Sequence, residues 1–464
     1  MKALIKHQNA LVEANRKEYG QAYDSLNFVN YYQGLEMEGM REELLNQLEG
    51  KITWDFQQTK TDATRMSPGC RLCGQGQWSC LFINGKCNCN CFYCPAPQTD
   101  IGQPVTQTLT FDDPMAYVEY IRKFNFKGVS FSGGEPFLTY DRVKLFLQTL
   151  RRELPPDLYI WMYTNGTRVT AEQLKELAEI GLNEIRYDIG ATDYNLKPVK
   201  QAIGIVPTVT VEIPAVPDEL ETIKHCVKEL AEVGLSYLNL HQLRLTPHNL
   251  PKIQAKGYAL SHGVRVIVPE SELAALEIIR YTKENGIDLP VNYCSFVYKN
   301  RFQKSGLRKK LAPLVAFPYQ EVTANGYIRD LWVPLTGESE QALGNMPLSV
   351  QNDCHVDARA LKIHLKPSLV PMFVSHGPKV KYIDIRISET DPHHANKTEL
   401  AMGNGKKLFV EWADATPEMQ LYADELGIFN DILQGNYPDG VNDSDKLFAV
   451  RRFEQIDEGL AGIY

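Results

Sequence analysis

Hydrophobic positions along this chain change their spacing in a regular way. FDDPMAYVEYIRKF (111–124) sets apolar residues at helical intervals behind acidic ones, and GVSFS (128–132) follows as a short run of strand character. The pair returns as a helix over 140–152 with LYIWMYT (158–164). It returns again as TAEQLKELAEIG (170–181), with Thr170 as cap and Glu172 in its first turn, followed by NEIRYDI (183–189). Further strands are expected at 208–213, 237–240 and 264–268, and helices over 218–233 and 271–285, while LFING (81–85) reads as the strand that opens the series. Such alternation predicts a parallel sheet wrapped by helices. The expected fold class is α/β, a partial (β/α)6 TIM-like barrel over 61–304. A helical segment at 1–60, including QGLEMEGMREELLNQLEG, precedes it, and an α+β domain over 305–464 follows. In that last part VAFPYQEVTANGYIRDLWVP carries an Asn-Gly hairpin signal, and KVKYIDIRIS and KKLFVEWA read as strands.

Composition adds limits. The chain has 464 residues, 44% hydrophobic and 23% charged, enough for a large core, and its net charge of -8 gives no electrostatic footprint for nucleic acid. MKALIKHQNALVEANRKEYG lacks an apolar leader core and no run reaches the length of a membrane span, so a cytoplasmic protein without membrane partners is expected. Seven of ten cysteines lie between Cys70 and Cys94, whereas Cys226, Cys294 and Cys354 stand alone. Clustering of this kind in a long chain favours metal ligation over a disulfide framework.

Cys87, Cys91 and Cys94 fall in CNCNCFYC at the spacing C-x3-C-x2-C. Three thiolates so placed can each hold one iron of a [4Fe-4S] cluster and leave the fourth iron free for another ligand. Downstream, GVSFSGGEP brings Gly133, Gly134 and Glu135 to a strand end, where glycines admit close backbone approach and Glu135 can accept from an ammonium. A plain strand-ending turn accounts for the same residues. Spacing and motif together resemble the radical S-adenosylmethionine (SAM) superfamily. The resemblance implies an enzyme in which SAM completes the cluster and is cleaved reductively to a 5′-deoxyadenosyl radical. It also implies a partial barrel, a reductant such as flavodoxin or ferredoxin, and a GGE segment that holds the amino group of SAM.

Other strand ends are less specific. Thr164 and Asn165 in YTNGT can bond SAM ribose or carboxylate, although Asn-Gly is also a common turn. Arg186 and Asp188 share one face of their strand, where Arg186 can meet the SAM carboxylate or the pair can satisfy itself. Tyr93 can touch adenine or simply pack, and the orientation of Glu212 is open. Cys89 would break the ligand spacing and reads as a bystander, while Asn88 and Asn90 suit an irregular loop.

The run GCRLCGQGQWSCLFINGKCNCNCFYCP, with EIGLNEIRYD, YLNLHQL and NYCSFVYKNRFQ, is similar to a mostly archaeal radical SAM group labelled pyruvate-formate-lyase-activating-enzyme-related. That resemblance implies a second metal site on Cys70, Cys73 and Cys294, with an auxiliary iron–sulfur cluster, structural zinc and plain buried thiols all open. Cys80 is left out of it. The substrate is a peptide, a protein or a bulky metabolite. Two rival classes remain. A zinc-ribbon adaptor would use Cys70, Cys73, Cys91 and Cys94 but leaves Cys87 and Cys89 without a role, and an iron–sulfur redox sensor would leave SAM intact. Cys354-His355 and His393-His394 read as surface loop before they read as ligands.

Overall fold

Strict alternation within short β-branched and aromatic runs builds the parallel sheet. The computed structural model describes residues 2–347, 353–394, 396–402 and 405–460. Its seven parallel strands are Trp78–Asn84, Gly128–Gly133, Tyr159–Thr164, Glu184–Tyr187, Thr208–Pro214, Tyr237–His241 and Val291–Cys294, hydrogen-bonded in that order. Leu81, Phe131, Met162, Ile185 and Val209 are register partners on one face, and all are buried. The other face is polar: Asn239 pairs with Glu212 on one side and Asn292 on the other, and His241 with Cys294. Short antiparallel hairpins flank the sheet, Trp54–Asp55 with Lys60–Thr61 beyond the last strand and Val105–Thr106 with Leu109–Thr110 beyond the first.

The α/β class and the partial TIM-like barrel stand, with seven parallel strands instead of six. One expected strand is corrected. Residues 264–268 make only isolated bridges through Ile267 to Arg244 and Ser261. Val266 and Val268 instead enter an apolar cluster with Tyr19, Leu243, Leu245 and Leu260. The last barrel strand is Val291–Cys294, too short and too interrupted by Asn292 to show as an alternating run.

Helices begin and end where their residues dictate. Asp113 accepts from Met115 N ahead of Pro114–Lys123, and Thr170 with Gln173 forms a capping box on Ala171–Ile180, which Gly181 ends at φ 117°. Two helices, Lys2–Tyr19 and Tyr31–Leu48, occupy the N-terminal segment.

The chain divides into two compact units, Gln8–Gln303 with Glu458–Tyr464 and Lys304–Asp457 with Met1–His7. In the second, Ile328–Pro334 and Lys379–Ser388 are central strands of an antiparallel sheet, and Asn325-Gly326 turns the hairpin from Glu321–Val322.

Candidate functional site

Four strand ends place their chemistry along the C-terminal edge of the parallel sheet, as barrel geometry requires. The first strand ends at Asn84 and releases the loop that bears Cys87, Cys91 and Cys94. The second strand clamps the root of that loop. Gly134 N donates to Asn84 O at 2.9 Å and Glu135 N to Lys86 O at 2.7 Å, while Asn84 Nδ2 returns a bond to Glu135 O at 2.9 Å. Both glycines are obligatory for this approach. A Cβ on Gly134 would lie 1.9 Å from Lys86 O, and one on Gly133, at φ 116°, would lie 2.1 Å from Asn84 O.

Glu135 is 1% exposed and accepts from Phe137 N at 3.0 Å, Thr164 Oγ1 at 2.8 Å and Asn165 N at 2.7 Å. Burial raises its carboxyl against the pull of those donors. The carboxylate thus ties the second strand end to the third. Asn165 extends the chain of contacts to sulfur, its Nδ2 lying 3.3 Å from Cys89 Sγ and 3.6 Å from Cys87 Sγ. Tyr93 donates to both oxygens of Asp188 at 2.9 and 3.0 Å, which fastens the loop to the end of the fourth strand. Burial pushes the Cys91 thiol up to about 12 and, with Cys87 beside it, Cys89 to about 11.

Loop, GGE segment, Thr164, Asn165, Tyr93 and Asp188 therefore converge. Arg186 does not join them. It is 2% exposed on the polar face of the sheet. Nε donates to Glu184 at 2.8 Å, Nη1 to Glu212 at 2.7 Å, and Nη2 to Ser67 Oγ at 2.9 Å and Glu184 at 3.2 Å. The remaining Nη1 hydrogen faces Tyr163 OH at 3.4 Å and Cys70 Sγ at 3.5 Å, so no donor is left for a carboxylate from outside. The Arg186 guanidinium, a candidate for the SAM carboxylate, sits in an ion network with Glu184 and Glu212. Glu212 proves to face inward and also accepts from His241 Nε2 at 2.6 Å and Asn239 at 3.1 Å.

The helix Pro68–Gly74 lies over that polar face and brings Cys70 and Cys73 toward Cys294. Asn239 Nδ2 donates to Cys70 Sγ at 3.2 Å and Gln303 Nε2 to Cys73 Sγ at 3.1 Å. Burial, with Cys294 nearby, pushes the Cys73 thiol up to about 12. At Cys294 burial acts the same way but Lys60, Lys299 and His241 outweigh it, and the thiol falls to about 6. Cys80 sits apart from the trio against Ser130 and Ser132 and is pushed up to about 12 by burial. Neither Lys60 nor His241 carried a local signal, since their role comes from register with Cys294.

Among the described residues no three His, Cys, Asp or Glu side chains surround one point as ligands of a single ion. A cubane asks for a different arrangement, three sulfurs each meeting its own iron. The Cys87 loop fits that group, with soft thiols on one irregular loop and an amide N–H within reach of sulfur. In the second unit His394 pairs with Glu411 at 3.1 Å and the His355 ring stacks on Tyr319 at 4.7 Å.

Residues 81–243 match the radical SAM superfamily. The chain carries a radical SAM domain. A Methanocaldococcus jannaschii protein with the provisional name glycyl-radical enzyme activating enzyme is 29% identical over 57% of this chain and 72% of its own length. A GTP 3′,8-cyclase of Staphylococcus saprophyticus is 30% identical over 24% of this chain and spans only 34% of the cyclase. The solved structure of SuiB from Streptococcus suis with S-adenosylmethionine covers 68% of this chain and 70% of its own at 11% identity and a TM-score of 0.35. The radical SAM match makes the protein an enzyme of that class, and the family implies SAM and a [4Fe-4S] cluster. Among the described residues no helix is long and apolar enough to cross a membrane.

Proposed function

We propose that Cys87, Cys91 and Cys94 hold the [4Fe-4S] cluster, that SAM binds beside it along the GGE segment, and that the enzyme takes a hydrogen atom from a protein substrate. When bound and reduced, the cluster supplies the electron that parts SAM into methionine and a 5′-deoxyadenosyl radical. The chain's own residues do the rest. Gly133 and Gly134 keep the loop root close, Glu135 fixes the neighbouring strand ends and offers negative charge for an ammonium, and Asn165 donates toward sulfur. Tyr93 and Asp188 hold the far side of the loop, and the packed strands behind it exclude water from a reactive radical. The convergence of cysteine loop, GGE segment and Asn165 on one sheet edge is the observation that carries this reading.

The name of the Methanocaldococcus relative supports a protein as the substrate, and a flavodoxin or ferredoxin suits the reductant. We assign Cys70, Cys73 and Cys294 to a second metal centre, an auxiliary iron–sulfur cluster or zinc. What supports it is that Cys70 and Cys294 both lie within electrostatic reach of Cys73, with Lys60 and Lys299 beside Cys294 to balance anionic sulfur. Anaerobic reconstitution with iron and sulfide, then dithionite and SAM, tests the main reading. Wild type should release 5′-deoxyadenosine, Cys91→Ala should release none, and Cys89→Ala should retain it; intact SAM in the wild-type reaction refutes the proposal. Metal analysis of Cys294→Ala tests the second centre, which predicts loss of metal beyond four irons.

A further inference from the structure

The root of the cysteine loop and the Tyr93 side chain are held within the radical SAM domain, but the backbone carbonyls of its tip are held from beyond it. Asn90, Cys91 and Tyr93 offer carbonyls at the tip, and all three are taken by side chains from the segment after the sixth strand. Lys252 Nζ donates to Asn90 Oδ1 at 2.6 Å, Asn90 O at 3.3 Å and Cys91 O at 3.3 Å. Asn249 Nδ2 donates to Tyr93 O at 3.3 Å. Asn249 is fully buried and is itself locked, its Oδ1 accepting from Thr246 N at 2.8 Å and its own N donating to Thr246 Oγ1 at 3.2 Å. One turn beyond Lys252, Lys256 lies over the Phe92 ring at 5.1 Å. These residues stand on or beside Leu250–Ala255, past residue 243 where the match to the superfamily ends.

We propose that Lys252 is a positioning residue that fixes the tip of the cluster loop and sets the charge beside it. The inference rests on the reading that this loop carries the cluster. An ammonium offers three donors, and here all three point at the loop while no carboxylate pairs with Lys252 among the described residues. An ammonium held 3.3 Å from the Cys91 carbonyl favours the extra electron of a reduced cluster on that loop, so it raises the reduction potential as well as ordering the ligands.

Two readouts test this on Lys252→Met, Lys252→Gln and Lys252→Arg. In the metal-free chain, hydrogen exchange of the 88–94 amides should accelerate about tenfold in Lys252→Met, the parallel strands should be unchanged, and Lys252→Arg should restore protection. In the reconstituted protein, titration followed by electron paramagnetic resonance should give a lower midpoint potential for Lys252→Met and Lys252→Gln, returning toward wild type in Lys252→Arg. Unchanged exchange at 88–94 in Lys252→Met, acceleration spread evenly over the domain, or a wild-type potential in Lys252→Gln overturns the proposal. Exchange of the metal-free chain does not depend on SAM cleavage, so it judges the clamp even if the wild type releases no 5′-deoxyadenosine.

Discussion

Gly134 shows how little room single residues leave at this site. A methyl group there meets Lys86 O at 1.9 Å, backbone that cannot swing aside as a side chain would. Gly134→Ala should therefore displace the loop root, cost roughly 2–4 kcal/mol of stability and lower bound iron after reconstitution, which a thermal melt and iron assay can check. Asp188 carries a different signature. Burial raises its carboxyl from the ordinary 3.8 to about 6 against the pull of Tyr93. The folded chain therefore binds this proton more tightly than the unfolded one, a contribution that is complete below about pH 4 and disappears as pH rises through about 6. Asp188→Asn removes the titration, so the stability gap between variant and wild type should shift by up to about 3 kcal/mol across that window in urea melts at a series of pH values. A gap that stays constant would count against the buried carboxylate. The cysteine spacing and the GGE run were readable because both are local. Lys252 and Asn249 were not, since their contacts reach back to Asn90 and Tyr93 across more than 150 residues.

At the scale of elements, the fourth and fifth strands are joined by charge as well as by backbone. Glu184, fully buried, and Glu212 lie on either side of Arg186, whose guanidinium also stacks over Trp161 at 5.1 Å. Removing the cation leaves buried Glu184 without a counter-charge and Glu212 with only His241, so Arg186→Ala should lose about 3–5 kcal/mol in denaturant unfolding. Lys at this position keeps the charge but not the fork that reaches both acids and Ser67, and it should recover only part of the loss. The alternation that makes this face polar was visible in RYD and TVEIP, yet its partners were not. A period of two reveals which residues share a face but not which strand supplies the counter-charge. The same limit explains the misplaced strand at 264–268, where apolar residues between Gly263 and Pro269 satisfy a packing surface rather than a ladder.

For the whole molecule, the second unit contains its own core. Leu331, Val380, Tyr382 and Phe429 pack in one cluster, and Val333, Ile363, Leu365 and Phe373 in another, all within 304–457. Expressed alone, that segment should unfold cooperatively with a near-ultraviolet signal from buried Trp332, and a featureless melt would show that it needs the rest of the chain. In the barrel unit the seven central strands share continuous ladders, but each outer hairpin joins them through a single register pair, Phe82 with Val105 on one side and Cys294 with Lys60 on the other. Two weak stitches thus border a stiff fabric. The backbone amides along either margin should therefore exchange with solvent before those of the zipped interior.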